Sequence, residues 1–515
     1  MRKTYLPRPS RIPGADSPRR VFSTVPLEID LDRSSDHFRC LQLQEPDLIF
    51  SGNHHCVDPR TGLAAYGPYG VIRAEDTGQV RIGIVGTPEA IDDTLKLLEE
   101  ISNPIDQDAA VDCVLHPSFP GMNSQAPFRV HIVTQNQWHR PLHKRDFRSI
   151  MKCGDFNTKR WLLQELVGAE VHAISELERP PQVVLCAFSE SLESFLGDGV
   201  ADTDRPSEDV ILYRSGEWKS DSFLQEFRDG LKAECMGSLP TEIIWNRKES
   251  EFGGTHDRAT QAWALSLALL KKAGIAPWRL ADASVDSCFI GISYYGESQD
   301  PTSHVTRGFA YVLTELGAGF VIQGDPFEWD PRKEEVKEPH LNEDQAEKLV
   351  SRSLNLFEER TRISPRKITV HKSTPYMEAE RLGFENALRD LAPYGLMTFN
   401  QRGIFCVRPG RNPTLRGTAI PFDEKTGLVF TSGYVPFLRG YHGTKLPQPI
   451  EILENWGGIS FHQAAQDLIR LTRLDLRSPR FCAEFPISLS RCPRIANVLQ
   501  ALGRRELAVN DWYYF

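Results

Sequence analysis

Val80-Arg81-Ile82-Gly83-Ile84-Val85-Gly86-Thr87 is the stretch from which the fold is read. Its apolar positions follow the period of a strand, and the run stops at a glycine. Thr87 is a helix-capping residue, and the pattern after it predicts a helix through Glu99. The same succession continues outward. Val130-His131-Ile132-Val133 reads as a second strand. Val183-Val184-Leu185-Cys186-Ala187-Phe188, just after Pro180 and Pro181, reads as a third, with helical patterns on both sides. Ser222 to Cys235 predicts a helix, and Thr241-Glu242-Ile243-Ile244-Trp245 a strand. Ala262 to Lys272 predicts a strongly apolar helix, with Gly274 near its C-terminal cap and Pro277 as its stop. Strands alternating with helices define an α/β class.

Beyond Ile275 to Ala281, where a domain boundary is placed, the pattern changes. Strands are expected at Cys288 to Tyr295, Gly308 to Glu315 and Phe320 to Gly324, before a helix from Asn342 to Glu359. A strand at Lys367 to Lys372 and a helix at Glu378 to Arg389 come next. Met397 to Pro409 and Thr418 to Gly433 read as hairpins, and His462 to Leu474 as a helix. Toward the N-terminus, Leu48-Ile49-Phe50 is a short apolar run and Asp58-Pro59-Arg60-Thr61-Gly62 is turn chemistry. Residues 1–25 carry Pro7, Pro9, Pro13 and Pro18 with six Lys/Arg, the composition of a flexible tail. Asp198 to Asp209 reads as an acidic loop. The resulting division is a tail at 1–25, a first unit at 26–275 and a second at 276–515.

At 515 residues with 40% hydrophobic and 25% charged content, the chain is long enough for a core without disulfide or metal staples. No apolar run reaches membrane-spanning length, and the basic N-terminus lacks the apolar stretch of a secretory signal. The ten cysteines are scattered without a Cys-x-x-Cys pair, which fits a reducing cytoplasm. Net charge is −9, so a broad phosphate-attracting field is not expected. Local fields run the other way. His139 to Arg160 carries seven Lys/Arg against Asp146 and Asp155. A second basic run holds Arg470, Arg473, Arg477, Arg480, Arg491, Arg494, Arg504 and Arg505. Either run taken alone is a solvated helical face.

Common catalytic signatures are missing. Gly440-Tyr441-His442-Gly443-Thr444-Lys445 has the wrong spacing and order for a phosphate-binding loop, and Gly317-Ala318-Gly319 lacks the third glycine of a dinucleotide fingerprint. There is no His-Glu-x-x-His and no Gly-x-Ser-x-Gly. His54-His55-Cys56 with Asp58 offers metal-ligand types, but adjacent histidines diverge, and a structural role is the better reading.

The order of several segments carries more. Asp58-Pro59-Arg60-Thr61-Gly62-Leu63 leads to Tyr66-Gly67-Pro68. Leu231-Lys232-Ala233 precedes Leu239-Pro240-Thr241-Glu242-Ile243-Ile244. Ala262-Trp263 precedes Lys272-Ala273-Gly274-Ile275-Ala276-Pro277-Trp278-Arg279-Leu280. Val370-His371-Lys372, Gly433-Tyr434-Val435-Pro436, Leu446-Pro447-Gln448-Pro449 and the aromatic end Trp512-Tyr513-Tyr514-Phe515 follow. Together, over roughly residues 46–515, this series resembles the short prokaryotic Argonautes. The resemblance implies a Rossmann-like MID domain followed by an RNase H-like PIWI domain, without N or PAZ domains.

It also implies roles. In the MID domain a pocket for the 5′-phosphate of a guide strand would use Lys232 and Lys272, with Lys271 as the competing choice for the second. Arg228, one turn before Lys232, stands where the family often has Tyr or His. Glu242 stands where it has Gln, an unfavourable neighbour for a phosphate unless a metal intervenes. A carboxylate at Phe515 would help hold that metal, Mg²⁺. In the PIWI domain the catalytic acids are expected after Ile292, after Lys372 and near residue 493. Ser293, Ser373 and Pro493 stand there, and none can hold two hard cations as a carboxylate does. Glu297, Asp300 and Asp325 are a conceivable substitute set. Arg408, Arg411, Arg416 and the arginines from Arg470 onward are candidates for a guide–target groove. The implied function is a guide-binding, non-cleaving subunit, with a small guide RNA and a single-stranded DNA target. Its partner would be an APAZ-domain effector of TIR or sirtuin-like, NAD-depleting type in abortive-infection defence, with a higher oligomer on activation. A nuclease partner, a self-sufficient guided nuclease and an unrelated α/β enzyme are the competing readings.

Overall fold

The computed structural model describes residues 40–71, 78–107, 117–125, 127–189, 222–246, 258–297, 304–334, 336–391, 393–401, 403–406, 410, 412–441, 446–507 and 509–515. The 1–25 tail, the 198–209 loop, Asp300, Arg408, Arg411 and residues 442–445 lie outside them.

The chain enters through three short strands, β1 (Leu41–Gln42), β2 (Leu48–Ile49) and β3 (His55–Cys56), and helix α1 (Pro59–Tyr66). The expected turn at Asp58–Gly62 is in fact the start of α1. Asp58 accepts from the Thr61 N–H at 3.0 Å and Pro59 occupies the first turn, so the same Asp-Pro pair that breaks a chain here caps a helix.

The first domain then follows as a strand–helix alternation: β4 (Gly78–Gly86), α2 (Pro88–Ile101), β5 (Val130–Pro141), α3 (Arg148–Lys152), α4 (Phe156–Ser175) and β6 (Val183–Ser189). It closes with α5 (Ser222–Glu234), β7 (Thr241–Asn246) and α6 (Arg258–Lys272). The sheet order is β5-β4-β6-β7, and every pair is parallel. Parallel strands are covered on both faces, which is why β6 is apolar throughout. Val183, Leu185 and Ala187 pack with Ile91 and Leu98 of α2 and Leu265 and Leu269 of α6. Val184, Cys186 and Phe188 pack with Leu163 and Val167 of α4 and Phe227 and Leu231 of α5. This is the expected Rossmann-like unit.

Beyond β8 (Arg279–Leu280) lies the second domain, with β9 (Ser287–Gly296), β10 (Val305–Thr314), β11 (Gly319–Glu328), α7 (Glu343–Thr361), β12 (Lys367–Lys372), α8 (Glu378–Leu388) and β13 (Tyr394–Gln401). It continues through β14 (Thr418–Pro421), β15 (Gly427–Val429), β16 (Ile450–Gly457), α9 (Phe461–Leu471), α10 (Ile487–Ser490), α11 (Cys492–Leu502) and β17 (Val509–Asn510). Its sheet runs β1-β14-β15-β16-β13-β12-β9-β10-β11-β17. Strands β9, β10 and β11 form an antiparallel meander, and β12 and β13 add in parallel on the other side of β9. That is the RNase H-like arrangement. Helices α7 and α8 cover one face, packing on Ile290, Val312, Ile368 and Val370. Helices α9 and α11 share the other face with Phe289, Tyr311 and Phe399. The expected Met397–Pro409 hairpin is corrected: β13 runs parallel to β12 and antiparallel to the distant β16, because a buried partner outweighs the local turn signal. The Thr418–Gly433 hairpin forms as β14–β15.

The linear division at residue 275 also needs amending. β1 pairs with β14 in the second domain's sheet, and β2 pairs with β8. Residues near the start of the described chain are thus built into the second unit. No helix among the described residues is long and apolar enough to cross a membrane.

Candidate functional site

The two domains meet where α5 lies against α11, and this junction gathers the sequence-predicted pocket residues. Helix α5 turns Phe227 and Leu231 into the first domain's core, which carries Lys232 inward at its C-terminal end, only 2% exposed. Lys272 ends α6 and is 3% exposed. The two ammonium groups converge on one acceptor, the carbonyl oxygen of Thr241 at the start of β7. Lys272 Nζ reaches it at 2.8 Å and Lys232 Nζ makes a short contact to it. Lys232 also donates to the main-chain oxygen of Phe515 at 2.6 Å, bridging the domains. Lys272 forms a close ion pair with Glu242. Arg228 pairs with Asp229 at 3.0 Å. The competing lysine, Lys271, points elsewhere, donating to the Gly317 carbonyl at 2.7 Å and pairing with Asp511 at 3.3 Å.

The second domain contributes cations that pocket reasoning from sequence did not place there. Arg477 approaches Glu242 at 3.4 Å, and its guanidinium lies 5.6 Å from the Phe515 ring centroid. Arg491 lies over the same ring at 5.0 Å and is held by a close ion pair with Asp475. Arg494 stands one turn on, within electrostatic reach of Arg228. Their signal was present as the C-terminal basic run. Only the fold shows that Arg491 and Arg494 come near Arg228 on α5 while Arg477 reaches Glu242 on β7.

The cost of this crowding appears in the protonation equilibria. Burial, then the charge of Arg228, pulls the Lys232 ammonium down to about 7. Burial and Lys232 hold Lys272 well below its ordinary value. Arg228, Arg477 and Arg494 are lowered too, first by burial and then by neighbouring guanidinium groups. Buried like charges of this kind are unfavourable unless anions join them, and Asp229, Glu242 and Asp475 supply part of that compensation. A cluster of ammonium and guanidinium donors can take up a phosphate, whose oxygens accept from both.

Oxygen ligands for the expected Mg²⁺ are scarce here. The Phe515 main-chain oxygen and the Glu242 carboxylate are each already engaged by a lysine. Two oxygens, each already facing an ammonium, are a poor donor set for an octahedral dication.

Other basic candidates are reassigned. Arg416, Arg470 and Arg473 are buried rather than groove-lining. Arg416 pairs with Glu45 at 2.7 Å, Arg470 with Glu315 at 2.6 Å and Asp282 at 2.5 Å, and Arg473 with Glu45 at 3.4 Å. Burying an Arg this way needs a carboxylate, and each has found one. Arg504 and Arg505 remain exposed.

In the second domain Ser293 lies on β9 and Ser373 is exposed just beyond β12. The β9–β12 pairing ends at Gly291 and His371, so Ser293 and Ser373 each lie two residues beyond its last register pair. Pro493 is exposed in the first turn of α11. Behind them, the fully buried Glu380 takes a close ion pair from Lys372, a hydrogen bond from Tyr294 Oη at 2.5 Å and a contact from His340 at 3.2 Å. Burial pushes the Glu380 carboxyl up, but His340 and Lys372 outweigh it and hold the group below its ordinary value. Of the substitute acids, Glu297 pairs with Arg307 at 2.9 Å and Asp325 with Arg352 at 3.1 Å. Among the described residues no group of three His, Cys, Asp or Glu is placed to hold a metal, and His54 instead stacks on Tyr66 at 4.4 Å.

No family model matches this sequence, and no curated protein matches it. Solved structures do match by fold. A Clostridium butyricum Argonaute bound to a guide DNA and a 19-mer target DNA superposes with a TM-score of 0.60 at 13% identity, over 92% of this chain and 54% of that one. An Aa-Ago with externally bound siRNA gives 0.52 at 14% identity, over 92% and 56%. An A. aeolicus Argonaute gives 0.50 at 13% identity, over 91% and 54%. The chain therefore has the Argonaute MID–PIWI fold and spans about half the length of the structures it matches.

Proposed function

We propose that this chain holds the 5′-phosphate of a guide strand in the pocket between its domains and uses the guide to recognise a complementary single strand. The observation that carries this reading is the convergence of the buried Lys232 and Lys272 on the Thr241 carbonyl, with Arg228, Arg477, Arg491 and Arg494 gathered around them. Asp229, Glu242 and Asp475 offset part of this like-charge crowding, and a terminal phosphate would offset more of it. The C. butyricum Argonaute, which shares the fold, holds a guide DNA and a target DNA.

The RNase H-like domain then acts as a platform for the paired strands and does not cut. Ser293, Ser373 and Pro493 stand where metal-holding acids would be needed, and the nearby Glu380 is committed to Lys372 and His340. The resemblance extends the proposal: a small RNA as guide, single-stranded DNA as target, and a separate APAZ-domain protein as effector, TIR or sirtuin-like. In a cytoplasmic defence role, target recognition here would switch on NAD depletion there.

The test is to purify the chain with any copurifying protein, extract the bound nucleic acid and end-label it with and without prior phosphatase. Short strands that label only after phosphatase support the pocket. A folded protein that carries no such strands, and binds 5′-phosphorylated and 5′-hydroxyl oligonucleotides equally, refutes it. Target cleavage in magnesium or manganese by the purified chain would instead establish a guided nuclease.

A further inference from the structure

Resting on that phosphate-pocket reading, we propose that the pocket grips its phosphate with ammonium and guanidinium groups alone, with no divalent cation at Phe515. The place where a metal would bridge the Phe515 oxygen to the ligand is held by Lys232. Its Nζ donates to that oxygen at 2.6 Å and also to the Thr241 carbonyl, from a side chain 2% exposed. Lys232 thus ties the Phe515 oxygen to β7 as a bound cation would, with the Lys272 ammonium beside it on the same Thr241 carbonyl.

A magnesium ion sits about 2.0–2.1 Å from its oxygens, demands near-octahedral geometry and keeps several waters. To reach the Phe515 oxygen it would have to crowd against the Lys232 ammonium or displace it, and a displaced ammonium keeps the Thr241 carbonyl, which Lys272 already shares at 2.8 Å. Glu242, the acid nearest that carbonyl in sequence, is committed to Lys272 and approached by Arg477. The walls add to the difficulty. Arg491 and Arg477 cover the Phe515 ring, and Arg228 and Arg494 bring further positive charge. A dication added to this assembly meets more cations than free carboxylates, since Asp229, Glu242 and Asp475 are each already paired, whereas a phosphate dianion meets ammonium and guanidinium partners.

The decisive experiment uses the full chain, freed of copurifying nucleic acid. A short fluorescent strand is titrated with a 5′-phosphate and with a 5′-hydroxyl, in EDTA, in magnesium and in manganese. The expected result is a preference for the phosphorylated strand that stays within about two-fold across the three buffers. Lys232→Gln should abolish that preference in every buffer. A preference that vanishes in EDTA and returns with added magnesium overturns the inference while leaving the pocket intact. A folded Lys232→Gln protein that keeps its preference in EDTA overturns the assignment to Lys232. Equal binding of both strands in all buffers overturns the phosphate-pocket reading itself. If Lys232→Gln does not fold, the EDTA comparison on the unaltered chain still decides.

Discussion

Replacing Glu242 by Gln removes one negative charge from the pocket with little change of shape. Glu242 is 8% exposed, paired with Lys272 and 3.4 Å from Arg477. A phosphate gripped by those same two cations lies roughly two contacts away, about 6 Å. At that separation a unit charge and a dianion repel by roughly 5 kcal/mol at an effective dielectric of about 20. Neighbouring cations and residual water screen most of this, and about 1–2 kcal/mol, roughly ten-fold in Kd, is the expected gain for Glu242→Gln. Stability moves the other way. Breaking a buried pair costs about 3–5 kcal/mol, and an amide that still accepts from Lys272 recovers part of it. A net loss of about 2 kcal/mol lowers Tm by about 4–8 °C for a domain of this size. The assay is fluorescence anisotropy with 5′-phosphorylated and 5′-hydroxyl strands of one sequence, beside thermal melts with and without the phosphorylated strand. Tighter binding of the phosphorylated strand alone, with a lower Tm that the strand restores, is the predicted pair of results. Weaker binding of the phosphorylated strand, with the hydroxyl strand unchanged, would show that Glu242 helps to hold the phosphate and that the repulsion argument is wrong.

Other outcomes follow from the same groups. Lys232 sits near 7 in the unliganded pocket, and a phosphate beside it raises that value, so binding takes up a proton. Affinity for the phosphorylated strand should therefore fall from pH 7 to pH 9 while that for the hydroxyl strand stays flat. Calorimetry in buffers of different ionisation heat should register the proton. Without ligand the sign reverses for stability: an unfolded lysine keeps its proton to higher pH, so this group's contribution rises with pH above 7. Gly291→Ala should impair folding, because a Cβ there would come within 1.9 Å of the Ser488 carbonyl oxygen, and circular dichroism melts would show it. Ser293→Asp with Ser373→Asp should not yield metal-dependent cleavage, since Pro493 still lacks a ligand atom and Lys372 stays tied to Glu380. Gel assays with a labelled target and manganese test this, and any guided cut refutes it.

Much of the architecture was legible because burial repeats with a period. β6 reads correctly as a six-residue apolar run, and α2 reads from Thr87 onward because its cap is local. Asp58-Pro59 misled for a related reason: an Asp before Pro marks a turn and a helix start alike, and only the burial of Leu63 against the core distinguishes them. Strand partners were not legible. The pairing of β13 with β16 joins residues some fifty apart, which no local signal encodes. The pocket was half legible. Lys232, Lys272, Glu242, Arg228 and Phe515 were placed by segment order. Arg477, Arg491 and Arg494 looked like their neighbours Arg470 and Arg473, and sequence does not say which arginines of a basic run face a carboxylate and which face each other.

The chain enters the first domain beside the point where it leaves. β2, on the way in, is hydrogen-bonded to β8, on the way out, while β1 is already woven into the far sheet. A body hung from two adjoining strands cannot spin about its tether as a bead on a single linker does. The two domains also share one continuous apolar core, from Val80 and Trp263 to Phe289 and Tyr311, and Lys232 already reaches across to the Phe515 oxygen. α5 and α11 are therefore held in register, and the cations of the junction stand assembled before any ligand arrives.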